Sequence, residues 1–282
     1  METKAFAVIF TALITANVKA DSIGLYVGGE VWQSEASGTF GKENQLNDVQ
    51  STRTNQYNYS VAFEHPFPLL PNIRIASTSL DTSSQSHSTR EYSDDTETAH
   101  VDVHVELDIE AGFNVNFVDY TLYYELYDSD YFSLDIGLTA RDLSGSATFT
   151  ETADIVTTTR DFIWDGPEHD DHDYHNIVVT TQNVSADKIK PNDIEPMLYV
   201  ATNIQLPLTD LSAFAQGNIL LTGDHSLYDY QVGLDYDVVH NRRVDFNLLL
   251  GYRIVRMELE DLRGLYSELD FKGAFVGVIA HF

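Results

Sequence analysis

Residues 273–282, GAFVGVIAHF, end the chain on an aromatic ring. Every second residue of this segment belongs to one unbroken apolar row, formed by Ala274, Val276, Val278, Ala280 and Phe282. Successive side chains of a β-strand point to opposite faces, so this period of two indicates a strand. The segment therefore predicts a strand with one wholly apolar face that continues to the last residue.

The same alternation recurs along the chain, and no helical period of any length competes with it. Ten segments carry it: residues 23–32, 57–64, 73–80, 118–126, 132–141, 198–206, 211–221, 228–236, 244–253 and 273–282. These segments predict an all-β fold. Because they are short and follow one another without helical breaks, a sandwich and a barrel are the two architectures to distinguish.

The less apolar face of the ten segments separates these architectures. It carries glycine, alanine, serine, asparagine, glutamine, aspartate and an occasional arginine, whereas lysine is nearly missing. Small and polar side chains suit a narrow lumen, and the apolar rows, which have tyrosines near their ends, suit lipid and its interfaces. The ordinary β-propensity of tyrosine is the alternative explanation of the tyrosines. We predict an antiparallel transmembrane β-barrel of about ten strands, with eight or twelve as alternatives.

The connections between the segments fall into two classes. Residues 65–71, 127–130, 207–210 and 239–242 form short turns, whereas residues 35–56, 81–116 and 144–195 form long connections rich in Ser, Thr, Asp and Glu. Short periplasmic turns opposite long acidic extracellular loops are typical of outer-membrane barrels. With ten strands, both termini lie at the periplasmic rim. Lys272 then lies roughly 26 Å above Phe282, at the far membrane interface.

The first twenty residues predict export. A weakly basic start at residues 1–4 precedes an apolar run at residues 5–16, and Val18-Lys19-Ala20 suits a signal peptidase. We therefore predict a signal peptide at residues 1–20 and a single barrel domain at residues 21–282. The alternative, a membrane anchor, requires about 20 apolar residues, and this run is shorter.

Composition excludes several classes of function. The chain has 44 acidic against 16 basic residues, for a formal net charge of -28. Nucleic-acid binding depends on Lys and Arg, so we expect no nucleic-acid partner. The chain has no cysteine, which excludes disulfides and thiolate metal sites.

The ten segments place charged residues on the face that would line the lumen. These are Glu30, Glu64, Asp119, Glu125, Asp135, Asp229, Asp235 and Asp245 with Arg74, Arg141 and Arg253. Ten strands enclose little room, and wide aqueous channels need about sixteen. Charges of both signs in a narrow interior are expected to pair and to plug it. The acidic excess leaves a small cation-preferring pore as the alternative.

Two acidic clusters contain the histidines that could carry chemistry. In residues 164–175, three histidines are spaced by three, and carboxylates lie among them. The histidines are His169, His172 and His175, and the carboxylates are Glu168, Asp170, Asp171 and Asp173. Such side chains are ligands for zinc, nickel, copper or calcium. The alternatives are a hydrated acidic loop and weak divalent-cation binding. In residues 91–108, His100 and His104 alternate with valines, which suggests a strand extending above the membrane. We assign no catalytic, cofactor or metal residue.

Several blocks resemble a family of outer-membrane β-barrel proteins of marine gammaproteobacteria, of the Vibrio and Shewanella type, whose function is unassigned. They are residues 24–32 (GLYVGGEVW), 64–73 (EHPFPLLPNI), 119–130 (DYTLYYELYDSD), 224–236 (DHSLYDYQVGLDY) and 269–278 (LDFKGAFVGV). The resemblance implies a barrel in the outer membrane of a Gram-negative bacterium and implies no activity. The terminal aromatic residue also resembles the signal that barrel assembly machinery recognises. Residues 145–193 depart from the family pattern.

Paired Asp and His residues also invite comparison with the ten-stranded outer-membrane proteases, which use such pairs to activate water. Asp170, Asp171 and His172 form the corresponding group here, although they lie in the middle of a loop and lack the surrounding motifs. A general base needs a carboxylate that orients an imidazole at hydrogen-bond distance. A loop-borne hydrolase is therefore the third interpretation.

The sequence as a whole predicts a non-enzymatic, monomeric outer-membrane protein with a narrow plugged lumen and a structural or surface-interaction role. Its expected partners are outer-membrane lipid and lipopolysaccharide, bridged by divalent cations to the acidic loops, and the barrel assembly machinery, which binds the strand ending at Phe282. A small pore and a hydrolase are the alternatives.

Overall fold

A computed structural model describes residues 23–43, 45–49, 53–67, 69–95, 99–162, 174–221, 226–240 and 244–282. The predicted signal peptide lies outside the described residues, as do His169 and His172. No helix in the described part of the chain is long and apolar enough to cross a bilayer.

The described residues form twelve strands. They are β1 (Gly24–Lys42), β2 (Gln45–Asp48), β3 (Arg53–Glu64), β4 (Asn72–Asp95), β5 (Ala99–Ser129), β6 (Phe132–Phe162), β7 (Tyr174–Ile189), β8 (Asp193–Gln205), β9 (Leu211–Leu220), β10 (Ser226–His240), β11 (Asp245–Leu262) and β12 (Leu265–His281).

Ten of these strands close into a ring in which every pairing is antiparallel. The order is β1-β3-β4-β5-β6-β8-β9-β10-β11-β12, and β12 pairs with β1 to complete the ring. The last residue takes part in this closure, because Phe282 and Leu25 exchange backbone hydrogen bonds of 2.9 and 3.2 Å. The predicted antiparallel barrel of about ten strands is confirmed.

A belt of apolar side chains surrounds the ring, and it consists of the rows that the sequence predicted to face lipid. Exposed members include Val31, Tyr59, Phe63, Ile75, Tyr120, Leu122, Leu138, Ile204, Ile219, Val232, Leu234, Leu248, Leu250, Val276 and Val278. A closed antiparallel ring with such a belt satisfies its backbone internally and matches the solvent of a bilayer. This architecture is the transmembrane barrel that the sequence predicted, and a location in the outer membrane of a Gram-negative bacterium agrees with it.

Charged pairs mark the upper limit of the belt. Lys272 Nζ lies 2.8 Å from Asp270 Oδ2, and Arg256 Nη2 lies 2.8 Å from Glu268 Oε1, all on the outward faces of β11 and β12. Lys272 therefore lies at the interface where its spacing from Phe282 predicted it. Above this level the exterior of the barrel is polar.

The strands continue well above the belt, which corrects the prediction of long loops. Most of residues 81–116 belong to β4 and β5, and most of residues 144–195 belong to β6 and β7. Residues 35–56 likewise contribute the end of β1, all of β2 and the start of β3. The Ser- and Thr-rich composition of these segments suggested loops. In the structure, however, their backbone groups pair continuously: β4 pairs with β5 from Asn72 opposite Tyr123 to Asp95 opposite His100.

The seam between β1 and β12 contains a position that requires glycine. Gly38 has φ +117°, and a Cβ there would lie 1.9 Å from the Glu268 carbonyl oxygen. Only glycine adopts this conformation readily and allows so close an approach. Gly38 thereby allows β1 to continue beyond the belt while remaining paired to β12.

Candidate functional site

A layer of paired charges crosses the middle of the lumen. Arg141 on β6 donates from Nε and Nη2 to the two carboxylate oxygens of Asp119 on β5, both at 2.7 Å. The same Nη2 donates to Asp229 Oδ2 on β10 at 2.9 Å. The Arg141 side chain is 1% exposed. This guanidinium therefore links, across the lumen, strands that are not neighbours in the ring.

The Asp229 carboxylate is shared by two arginines. Arg253 on β11 donates to it from Nε at 2.9 Å and from Nη2 at 2.7 Å, in addition to the bond from Arg141. Two cations and two carboxylates thus form one buried chain, Asp119–Arg141–Asp229–Arg253. All four were predicted to face the lumen. Their mutual pairing is a result of the tertiary structure.

Neutral polar side chains extend this chain to the other walls. Arg253 Nη2 donates to the Thr78 hydroxyl at 3.1 Å, Thr78 donates to Asn58 at 3.1 Å, and Asn58 donates to Glu30 at 3.0 Å. On the other side, Asn218 donates to Asp119 at 3.3 Å. The roles of these Thr and Asn residues could not be predicted from the sequence, because small polar side chains recur on every lumen face.

Above the charged layer the lumen is filled by an apolar plug, which corrects the prediction of a small and polar interior. Its buried members include Trp32, Phe40, Leu80, Phe113, Val115, Phe117, Leu143, Phe149, Met197, Leu227, Val255, Met257, Leu262, Leu265, Leu269 and Phe271. The ring of Phe40 contacts those of Phe113 and Phe149, with centroid separations of 5.5 and 5.7 Å. Small and polar side chains predominate in the periplasmic half, and only a few, such as Ser34, Gln56 and Ser267, are buried in the upper half.

Two cation–π contacts join the plug to the charged layer. The guanidinium carbon of Arg141 lies 3.8 Å from the centroid of Phe117, and that of Arg253 lies 5.3 Å from the ring of Trp32. A guanidinium within about 6 Å of an aromatic centroid is attracted by the negative face of the ring. The plug and the charged layer therefore support each other.

Beneath the charged layer is a cavity of about 200 Å³ in the half of the lumen nearest the short turns. Glu64, Asp135, Tyr123 and Tyr199 line it together with Arg74, and the Tyr123 hydroxyl donates to Glu64 at 2.7 Å. Of the other predicted lumen charges, Asp235 lines this cavity and accepts a hydrogen bond from Asn247 at 2.8 Å. Most of the predicted lumen carboxylates therefore divide between a paired layer and an acidic vestibule, whereas Glu125 and Asp245 line neither.

Above the membrane, β4, β5, β6 and β7 form one projecting sheet, which we call the extracellular sheet: residues 83–95, 99–112, 147–162 and 174–189. It contains the second acidic cluster predicted from the sequence. The alternation of His100 and His104 with valines does reflect a strand above the membrane, since both residues lie on β5.

Three histidines on one face of this sheet contact carboxylates. His87 Nδ1 lies 2.7 Å from Asp108 Oδ1, His104 Nδ1 lies 3.2 Å from Glu91 Oε1, and His100 contacts both Asp95 and Asp102. Hydrogen bonding to Asp108 raises the pKa of His87, and bonding to Asp95 raises that of His100. Among the described residues, no three His, Asp or Glu side chains converge to hold a metal ion.

The loop cluster proposed from the sequence lies mostly outside the described residues. This applies to His169 and His172 and to the Asp170, Asp171 and His172 group. His175 is part of β7, although its side chain is not among those described. Divalent-cation binding by this loop therefore stays a prediction.

The raised pKa of His87 gives a testable pH dependence. A raised pKa in the folded state means that the protonated His87 paired with Asp108 stabilises the sheet. This stabilisation is fully present at pH values below the ordinary histidine pKa of about 6.5. That contribution is lost as the pH rises through the folded pKa. We expect Asp108→Asn to lower the pKa of His87, measured by histidine hydrogen–deuterium exchange. Asp94→Asn, on the opposite face of β4, should leave it unchanged; an equal decrease in both variants would contradict the pairing.

Comparison with known proteins gives similarity in fold alone. No family model and no curated protein matches the sequence. Among solved structures, the outer-membrane protease OmpT of Escherichia coli is 11% identical with a TM-score of 0.38. The match covers 95% of this chain and 99% of that one. A FadL homologue of Pseudomonas aeruginosa is 8% identical with a TM-score of 0.32, over 94% of this chain and 92% of that one. Neisserial surface protein A is 10% identical with a TM-score of 0.25, over 90% and 95%. The resemblance to a marine gammaproteobacterial family stays a prediction.

Proposed function

We propose that this protein is a sealed, non-enzymatic outer-membrane barrel whose role is to hold the extracellular sheet at the cell surface for structural or surface interactions. The observation that carries this proposal is the double closure of the lumen. A layer of paired charges and an aromatic plug occupy the interior, while four strands project beyond the membrane.

The charged layer opposes conduction because its groups are already paired. An ion crossing this layer would have to displace hydrogen bonds of 2.7 to 2.9 Å between Asp119, Arg141, Asp229 and Arg253. Separating buried ion pairs leaves uncompensated charges, which costs several kcal/mol. The next layer, around Phe40 and Phe271, is mainly apolar and offers an ion few polar groups. A sealed lumen follows from these two barriers in series.

The acidic surface of the extracellular sheet supports interactions with cationic or cation-bridged partners. Carboxylates outnumber basic side chains on all its faces, and the whole chain carries a formal charge of -28. Lipopolysaccharide phosphates are also anionic, so the expected contact is one bridged by divalent cations. The barrel assembly machinery is the expected partner of β12 during insertion. We propose that the inserted protein carries out this role as a monomer.

The first test of the proposal is conductance. Purified protein inserted in planar bilayers is expected to give no steady single-channel current, because both barriers are intact in the folded barrel. A general outer-membrane porin inserted under the same conditions is the positive control. Steady unitary currents from the protein would overturn the sealed barrel.

A narrow cation-preferring pore is the second candidate, and the acidic vestibule is the observation that favours it. Glu64, Asp135 and Asp235 face this cavity against Arg74. Such a lining concentrates cations at the periplasmic mouth. Cation-selective current would support the pore. Metal-dependent turnover of peptides or lipids, which we do not expect, would instead support the hydrolase.

A further inference from the structure

Strand β7 has one paired edge and one open edge. It pairs with β6 along its whole length, from Ala147↔Ile189 to Phe162↔Tyr174 and without a register shift. No strand in the described part of the chain pairs with its other edge. The open edge of a strand is a row of unpaired N–H and C=O groups, which can pair with another extended chain.

The open edge of β7 lacks the features that normally protect such edges. Its outer part, residues 177–186 with the sequence IVVTTQNVSA, contains no charge, proline or glycine. Every described side chain from Ile177 to Lys188 is exposed, including Val178 at 60% and Val184 at 65%. β-branched residues with high strand propensity and low charge are the composition that favours pairing between chains.

The opposite edge of the extracellular sheet, formed by β4, differs from the open edge of β7 because it is protected. Strand β4 pairs with β3 only as far as Ser79, and above that point it pairs with β5 alone among strands of the ring. Its upper part carries Arg90, Glu91, Asp94 and Asp95. Charged side chains on an edge oppose pairing with another chain. One edge of the sheet is therefore protected, and the other is open.

The base of β7 is fixed to the barrel, so the open edge is held in place. Lys42 Nζ on β1 lies 2.5 Å from Asp187 Oδ2, and Ile189 packs against the apolar plug. Residues 177–184 extend above this anchor for roughly 26 Å at 3.3 Å per residue. A pre-formed edge loses little conformational freedom when a partner strand adds to it, which favours binding.

We propose that the open edge of β7, residues 177–184, binds an extended, basic segment of a partner protein by β-strand addition. This inference rests on the proposed surface-interaction role. Main-chain hydrogen bonds supply the affinity in this mode of recognition. The charge of the segment follows from Glu151 and Asp154 on β6, which lie on opposite faces about two strand spacings, roughly 10 Å, from an added strand. Arg160, the cation of β6 near this edge, lies 3.5 Å from Asp102 and is therefore already paired with a carboxylate.

A second copy of this chain in the same membrane is a less suitable occupant. Its β7 would run in the same direction along the membrane normal, which restricts pairing to the parallel geometry. Parallel pairing is slightly less stable per residue than antiparallel pairing. A flexible segment of another protein has no such restriction.

A designed peptide tests the edge on the full-length protein in detergent micelles. The probe is a fluorescein-labelled, acetylated and amidated peptide in which Val alternates with Lys and Thr. Fluorescence anisotropy should show saturable binding. Binding should weaken at least tenfold when Glu replaces Lys, and also when the amides of one peptide edge are N-methylated, because the first change reverses the charge and the second removes the backbone donors.

Variants of β7 locate the site. Neighbouring residues of a strand direct their backbone amides to opposite edges. Of the two variants Val178→Pro and Val179→Pro, one therefore removes a hydrogen-bond donor from the open edge, and the other breaks a hydrogen bond to β6. We expect the open-edge variant to remain folded and to bind the peptide at least tenfold more weakly. Val178→Lys combined with Val179→Lys provides a folded variant in which cationic side chains repel the probe. Ser88→Lys on β4 is the matched control and should bind as the unmodified protein does.

The outcomes separate this inference from the sealed-barrel proposal. Absence of peptide binding, or unchanged binding in both the open-edge and lysine variants, would overturn β7 as the site while the sealed barrel still stands. Steady channel current would overturn the sealed barrel whatever the peptide does. Loss of binding confined to the β7 variants supports the inference.

Discussion

Replacing Asp229 with asparagine is expected to destabilise the barrel by about 3–5 kcal/mol. This carboxylate accepts hydrogen bonds from both Arg141 and Arg253, and all three side chains are less than a tenth exposed. Asparagine preserves the shape and removes the charge, so Arg253 retains a buried guanidinium without its carboxylate. Removal of one partner from a buried ion pair is costly because the remaining charge has no solvent.

Urea unfolding in detergent micelles, followed by tryptophan fluorescence and by the mobility of the folded barrel on gels, measures this loss. Asp235→Asn is the matched control. Asp235 lies in the vestibule, and the side-chain hydrogen bond described for it is the one donated by Asn247. It should cost less than about 1.5 kcal/mol, the contribution of one ordinary hydrogen bond. A second substitution, Arg253→Met, made together with Asp229→Asn, should restore part of the stability because it removes the unpaired cation. Equal losses for the two single variants would show that the charged layer has no special role.

Replacing Phe40 with alanine is expected to cost about 3–5 kcal/mol. Phe40 is fully buried, and its ring lies between those of Phe113 and Phe149. This part of the lumen lies above the lipid belt, where the outside of the wall is polar and faces water. The substitution therefore loses the transfer free energy of the ring and leaves a cavity in a closely packed core.

Phe246→Ala is the matched control for this substitution. Phe246 lies on β11 with its ring exposed on the lipid face of the barrel. Fluid acyl chains can fill the space that a lost ring leaves, so only the transfer contribution of about 1.5–3 kcal/mol or less is expected. The measurement is the same unfolding experiment. If Phe246→Ala costs as much as Phe40→Ala, the apolar plug is not a packed core.

The two predictions reflect a reversal of polarity along the barrel. Within the membrane, apolar residues face outward to lipid, and most inward residues are polar, apart from a few such as Leu249 and Phe275. Above Lys272 the outward side chains become charged, as at Arg256 and Glu268, while the inward ones, such as Met257 and Leu269, become apolar. The same strands therefore serve as a membrane barrel below and as the wall of a water-soluble core above.

This reversal explains which predictions the sequence supported. In the belt, each strand has a lipid face and a lumen face, and the two environments differ so strongly that alternation alone identifies both. Residues 273–282 were sufficient to orient β12, to place Lys272 at the interface and to place the terminus on the short-turn rim. The same argument correctly oriented the lower parts of the other strands.

The extracellular strands could not be predicted in the same way. On the extracellular sheet both faces contact water, so Ser, Thr and Asp occur on either face and the period of two is weak in β4, β6 and β7. Their strand structure depends on pairing with neighbours, as between β6 and β7. Residues 81–116 and 144–195 therefore suggested loops.

Alternation along the chain was enough to predict the strand class, the lipid-facing rows and most of the residues that face the lumen. Three features became visible only in the folded barrel: Arg141 pairs with Asp229, 88 positions away, aromatic rings fill the upper lumen, and β7 has an open edge. The difference is one of range. Alternation records the solvent on either side of a single strand, whereas these features depend on which strands become neighbours when the ring closes.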